Sequence, residues 1–166
     1  MNFNSGVIVE GDILKQLLDE GNQQLPTQWV ETDQNDHLKR PGVQHVPDYK
    51  SRLVACGQFE DCKGIRTDSP TADVEALNLI CSFAACNKLR LKDADIRNAY
   101  FNAEELDRLM LLRPPRGGLP GMNNNKKHAI AARLPIYGTK DAGRRFYKKF
   151  RSVAVDCGLI ECKQLK

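Results

Sequence analysis

A chain of 166 residues, 41% hydrophobic and 28% charged, can bury its own core and is too apolar for a disordered, collagen-like or coiled-coil class. Its 25 Lys+Arg against 21 Asp+Glu leave a net of only +4, which does not by itself declare a nucleic-acid binder. That figure averages two unlike parts. Residues 1–122 carry 14 basic and 18 acidic side chains, a net of −4; residues 123–166 carry 11 and 3, a net of +8. Such asymmetry is the footprint of a polyanion contact or, equally, of a solvated basic helix face.

The N-terminus, Met1-Asn2-Phe3-Asn4-Ser5, has no basic segment followed by an apolar run, so no signal peptide is visible. No stretch approaches the roughly 18 apolar residues of a membrane span. The chain reads as intracellular, with no membrane partner. Cys56, Cys62, Cys81, Cys86, Cys157 and Cys162 then read as buried thiols rather than disulfides or a zinc site, since no Cys-x-x-Cys occurs and His is sparse.

In chain order, Asp12 with Ile13, Leu14, Leu17 and Leu18, stopped by Gly21, predicts a short amphipathic helix. Thr27–Thr32 and Tyr49–Ala55 are β-prone runs on either side of a long polar connection, which predicts an antiparallel ribbon with exposed basic side chains. Ser69-Pro70 reads as a helix start, with Val74, Leu77, Ile80, Cys81, Ala84 and Ala85 forming one apolar stripe to about Asn87. Leu89–Ile96 resumes a strand-like alternation, and Leu109–Leu112 is a short apolar strand stopped by Pro114-Pro115. A Gly- and Asn-rich loop follows. From Asp141, the residues Ala142, Phe146, Phe150, Val153 and Cys157 predict an amphipathic helix ended by Gly158, with Arg144, Arg145, Lys148, Lys149 and Arg151 on its other faces. Gly158–Cys162 reads as the approach to another strand. No repeat is present, and the order of elements gives an α+β class.

No Gly-rich phosphate loop, His-Glu-x-x-His or Gly-x-Ser-x-Gly occurs. The stretch with chemical content is Asp93–Phe101, where a carboxylate at a strand end is followed closely by an aromatic pair. Mg²⁺ takes one or two carboxylates from protein and leaves room for phosphates, and two-metal nucleotidyl transfer needs such carboxylates to converge. The plainer reading is an exposed aspartate in a turn.

Asp95-Ile96-Arg97-Asn98-Ala99-Tyr100-Phe101-Asn102 resembles the Asp-Val-x-x-Ala-Phe-Leu-Asn segment of copia-type retrotransposon reverse transcriptases, and more widely the Asp…Ala-Tyr/Phe motif of the reverse-transcriptase palm. Other blocks follow the family's order. Trp29-Val30 resembles its early Arg-Trp-Val strand, and Tyr49–Gly57 resembles Tyr-Lys-Ala-Arg-Leu-Val-Ala-Lys-Gly of the fingers. Gly64–Pro70 is similar to the segment ending in Ser/Ala-Pro, and Leu106–Pro115 to the strand ending in Gln-Pro-Pro. Ile136–Arg144 resembles Leu-Tyr-Gly-Leu-Lys-Gln-Ala-Pro-Arg.

The resemblance implies reverse-transcriptase fingers plus an incomplete palm, built of antiparallel strands and packed helices, over residues 26–166, with residues 1–25 outside the matched blocks. It implies that Asp95 is the first metal-binding carboxylate, with the Ile96 carbonyl beside it on Mg²⁺. Ala99 and Tyr100 would line the incoming sugar, the Tyr100 ring excluding a 2′-OH. Lys50 and Arg52 would face the triphosphate, and Tyr137 and Gly138 would line the nucleotide site. Lys140, Arg144, Arg145, Lys148 and Lys149 would follow the nucleic-acid backbone. Read singly, Lys50 and Arg52 also suit a solvated face, Tyr100 a core position, and Tyr137-Gly138 an ordinary turn.

The implied partners are an RNA or DNA template-primer, deoxynucleoside triphosphates and the remainder of a Pol polyprotein. The sequence departs from the family at Cys56, Ala103, Pro135 and Gly143, and it holds no Asp-Asp dipeptide, so the Tyr-x-Asp-Asp motif is missing. The expectation is a fragment of an RNA-directed DNA polymerase that is inactive alone. The alternatives are a non-catalytic nucleic-acid-binding remnant of a retrotransposon and a decayed product without function.

Overall fold

The computed structural model describes residues 5–61, 63–120 and 127–161. Its elements are β1 (Gly6–Glu10), α1 (Gly11–Asp19), β2 (Gln24–Asp33), β3 (Tyr49–Ala55), α2 (Val74–Cys86), β4 (Met110–Arg113), β5 (His128–Ala132) and α3 (Ala142–Asp156). The α+β expectation holds at this level. The five strands form one sheet in the order β1-β5-β4-β2-β3. Its pairs are antiparallel except β2–β4, which run parallel with Leu25 opposite Leu112, so the sheet is mixed rather than antiparallel throughout.

Period-two alternation divides the core between the two faces of this sheet. Met110 and Leu112 of β4 point to one side, with Leu25, Ala55, Ala132 and Ile136, and Phe101, Leu106 and Ile130 pack around them. Leu111, fully buried, points to the other side with Ala129 and Leu14, covered further by Val9, Leu17 and Ala131. The small side chains of β5 on that face leave room for Leu14 and Leu17 of α1. As predicted, α1 ends at Gly21, whose φ of +85° lets the amides of Gly21 and Asn22 return to the carbonyls of Leu18 and Leu17.

The expected ribbon is present as β2–β3, seven residue pairs long from Thr27–Ala55 to Asp33–Tyr49. Its polar connection closes on one side chain. The Asp33 carboxylate accepts the amides of Asn35 and Asp48, each at 3.0 Å, and pairs with His45 Nε2. Burial pushes the Asp33 carboxyl up, but the His45 and amide hydrogen bonds outweigh it and hold it below the usual carboxylate range.

Several local expectations are corrected. The second helix starts at Val74, not Ser69-Pro70, because Asp73 caps it by accepting the Ala76 amide at 2.7 Å. Asp68 and Ser69 are instead held against α3, by Arg144 and by the close approach of Gly143 to the Ser69 side chain. Residues 89–96 form no strand: Leu89, Leu91 and Ile96 are exposed and alternate against no neighbouring strand among the described residues. Residues 158–161 likewise form no strand, and Cys162 lies outside the described residues. Of the α2 stripe, Val74, Leu77, Ile80, Cys81 and Ala85 are exposed and only Ala84 is buried; Ala76, outside the stripe, is the helix's other buried residue. Cys81, Cys86 and Cys157 are exposed rather than buried thiols, and Cys56 is half-buried. Strands β1 and β5 carry no strong alternation that would predict them from sequence; β1 pairs with β5, and β5 in turn with β4. No described helix is long and apolar enough to cross a membrane.

Candidate functional site

The end of β3 and the loop after β5 are drawn together by backbone. The amide of Ala55 donates to the Tyr137 carbonyl at 2.7 Å, and Val54 and Tyr137 form a parallel bridge. Gly138 makes this approach possible. Its φ is +89°, and a Cβ there would stand 2.1 Å from the Ala55 oxygen. Strand alternation puts Lys50 and Arg52 on one face of β3, with Arg52 nearer the bridge.

This backbone junction assembles three side chains from separate segments. The Arg52 guanidinium carbon lies 5.8 Å from the centre of the Tyr137 ring, a cation–π contact. The Tyr100 ring meets Tyr137 edge-on, with centroids 4.9 Å apart. Tyr100 is presented by a tight 3₁₀ turn over Ala99–Asn102. Asn98 enters that turn with φ of +52°, and the Asn102 side-chain amide donates to the carbonyls of Arg97 and Asn98. Arg52, Tyr100, Tyr137 and Ala99 are half-buried and Gly138 is exposed, so the group is accessible without being loose.

The other expected residues do not join this group. Lys50 is exposed on the ribbon. Asp95 is exposed on irregular backbone, not at a strand end, and the neighbouring Ile96 is also exposed. Among the described residues no three His, Cys, Asp or Glu side chains converge to hold a metal ion. Asp95 is therefore a single exposed carboxylate and no two-metal cage surrounds it among the described residues, so no chemical step through a metal follows from them.

The basic residues of α3 divide into two kinds. Arg144 donates to Asp68 at 2.7 Å, and Arg151 pairs with Glu161 at 2.8 Å. Arg145 donates to Asp141 at 2.6 Å and to the Glu105 carbonyl at 2.5 Å, and also pairs with Asp107. Lys148 and Lys149 are exposed and make no ion pair among the described residues. A cleft of about 380 Å³ lies between residues 64–66 and this helix, walled by Arg66, Arg108, Arg144, Arg145 and Lys148 with Asp107 and Asp141.

Beneath the Tyr137 loop is a network that the sequence reading missed. Arg108 donates to both oxygens of Asp141, at 2.6 and 3.0 Å, and to Glu60 at 2.6 Å. Glu60 accepts the Lys140 amide at 2.8 Å through its other oxygen, and its carbonyl accepts Lys140 Nζ at 3.1 Å. Glu60 and Asp141 are buried. Burial pushes the Asp141 carboxyl up, but hydrogen bonds and charge from Arg108 and Arg145 outweigh it and leave it below the ordinary value. The Arg108 guanidinium is raised, first by its hydrogen bond to Asp141. The available signal was Arg108 itself, an isolated cation on the approach to an apolar strand.

Residues 15–164 match the family described as "Reverse transcriptase (RNA-dependent DNA polymerase)". The chain is 31% identical over 139 residues to the "Retrovirus-related Pol polyprotein from transposon TNT 1-94" of Nicotiana tabacum, a match covering 81% of this chain and 10% of that protein. No solved structure matches. The family generally uses divalent metal ions and acts on nucleic acid in a Pol polyprotein context. With residues 15–164 of its 166 matched to that family, the chain belongs to the reverse transcriptases of copia-type retrotransposon Pol polyproteins.

Proposed function

We propose that this chain forms the nucleotide-facing front part of an RNA-directed DNA polymerase: the fingers and the first part of the palm, residues 26–166, preceded by residues 1–25. The observation that carries the reading is the convergence of Arg52, Tyr100 and Tyr137 from three segments distant in sequence. A cation beside an aromatic pair suits a deoxynucleoside triphosphate. Arg52, with Lys50 beyond it on the same strand face, would meet phosphate charge, and the Tyr100 ring would exclude a 2′-OH. Ala99 and Gly138 would flank the nucleotide. Asp95, with the Ile96 carbonyl, would supply one edge of a Mg²⁺ site, and the sequence holds no Asp-Asp dipeptide to supply the remaining carboxylates. Deoxynucleotidyl transfer then requires more than the residues described, so the chain alone is proposed to bind but not to polymerise.

The test is titration of the purified chain with dATP and with ATP, followed by tyrosine fluorescence. Binding of dATP that weakens in Arg52→Ala, with discrimination against ATP lost in Tyr100→Ala, supports the reading. No dATP binding, or binding indifferent to Arg52, overturns it. Robust template-primer extension by the chain alone overturns the inactivity; retained extension by Asp95→Asn in a complete enzyme removes Asp95 from the metal site.

A second reading, a nucleic-acid-binding remnant without catalysis, is favoured by Lys148 and Lys149, which α3 leaves exposed without ion pairs among the described residues. Lys140, Arg144 and Arg145 belong to the same expected nucleic-acid surface, but each already holds a partner within the chain.

A further inference from the structure

We infer that Glu60 and Arg108 are positioning residues for the Arg52–Tyr137–Tyr100 group, acting through the segment 137–141. The nucleotide role of that group rests on the reading above; the positioning does not.

The segment between Tyr137 and Asp141 belongs to no named strand or helix. At one end it is fixed by the Ala55 amide and by the seat of Gly138 against Ala55. At the other end Lys140 is fixed to Glu60 by its own amide, and Asp141 to Arg108 by two parallel bonds. Only two residues, Gly138 and Thr139, lie between Tyr137 and Lys140. Both the amide and hydroxyl of Thr139 donate to Ile136, and the Ala142 amide donates to Thr139, so little slack remains between the two anchors.

Arg108 is what joins the second anchor to the body of the protein. It spans two buried carboxylates separated by 81 positions in sequence, one before α2 and one at the start of α3. The planar guanidinium serves both at once, and a lysine ammonium does not reproduce that fork. Losing the Arg108 fork withdraws the guanidinium from buried Glu60, whereas Asp141 keeps Arg145. The segment then shifts to rehydrate Glu60, and the Tyr137 ring moves with the segment. An ion network of this kind adds little net stability over apolar packing, but it fixes geometry.

The experiment compares the full chain with Arg108→Lys and Glu60→Gln. It reads the upfield ring-current shift of the Arg52 δ-methylene protons, the inter-ring cross-peaks of Tyr100 and Tyr137, and dATP affinity. The expected result is loss of both ring signatures and about tenfold weaker dATP binding, with β2–β3 amide shifts unchanged. Glu60→Gln is the milder variant because it keeps the Arg108–Asp141 pair. Retained ring signatures in both variants overturn the positioning role, whatever happens to affinity. Unfolding of both also overturns it, since the network is then a folding element. If the wild type shows the ring signatures and binds no dATP, the nucleotide reading fails and the positioning role is still decided by the ring signatures.

Discussion

Gly138 sits against the carbonyl of Ala55 so closely that any Cβ would stand 2.1 Å from the oxygen. The approach is reciprocal: a Cβ on Gly57 would meet the Gly138 carbonyl at 2.0 Å. Two glycines therefore let the end of β3 and the Tyr137 loop touch through backbone, which in turn brings the Tyr137 ring to Arg52.

The two glycines differ in a way that separates two physical effects. Gly138 has φ of +89°, so alanine there adds backbone strain to the clash. At Gly57 the added methyl meets the clash without that strain. We expect Gly138→Ala to destabilise the chain by about 2–4 kcal/mol, and Gly57→Ala by less. Urea unfolding measures both. Equal values would show that the clash alone governs the junction.

Acid should loosen the network under the same loop. The folded-state value of Asp141 lies below its ordinary 3.8 because Arg108 and Arg145 outweigh burial. Between the two values the unfolded chain binds more protons than the folded chain, so stability rises with pH. The contribution is complete above 3.8 and is lost as pH falls through the lower folded value. The midpoint of urea unfolding should therefore fall below pH 4 more steeply in the wild type than in Asp141→Asn, which has no such carboxyl to protonate.

How far the sequence carried this structure depends on the range of each interaction. The α1 stop at Gly21, the β2–β3 ribbon and the end of α3 at Gly158 were legible because local residues dictate them. Ser69-Pro70 has the local chemistry of a helix start, and only the docking of Asp68 and Ser69 on α3, together with the Asp73 cap, moves the start to Val74. The run 89–96 alternates like a strand, yet alternation makes a strand only where another strand pairs with it. Within the site, Tyr100, Tyr137 and Arg52 were named from motifs, but their contact is a product of the Ala55–Gly138 junction. Glu60, Arg108 and Asp141 were invisible because their partners lie 33 and 48 positions apart along the chain.

Exposed and buried leucines should separate sharply by mutation. Leu112 is 2% exposed within the main core, whereas Leu77 on α2 is 57% exposed. Leu112→Ala removes packed methyl groups and leaves a cavity, for an expected loss of about 2–5 kcal/mol. Leu77→Ala should change stability by about 0.5 kcal/mol or less. Thermal unfolding of the two variants checks the contrast, and a loss above about 1.5 kcal/mol for Leu77→Ala would mean that the residue is covered in solution.

The cations of α3 should likewise fall into two classes. Lys148 and Lys149 are exposed without ion pairs among the described residues, so they can neutralise phosphates without giving up a partner. Arg145 already serves Asp141, Asp107 and the Glu105 carbonyl. Reversing both lysines to Glu should weaken binding to single-stranded nucleic acid and reduce the dependence of log affinity on log salt by about 0.7 per lost phosphate contact. Their unfolding midpoint should stay nearly unchanged. Arg145→Ala should do the opposite, costing about 1–3 kcal/mol by stripping one cation from the buried Asp141 while leaving the salt slope nearly intact. Fluorescence anisotropy of a labelled oligonucleotide across a salt series, paired with urea unfolding, reads both quantities. A salt slope that falls with Arg145 but not with the lysines would reverse the assignment and place the phosphate-facing side of α3 over Asp107 and Asp141.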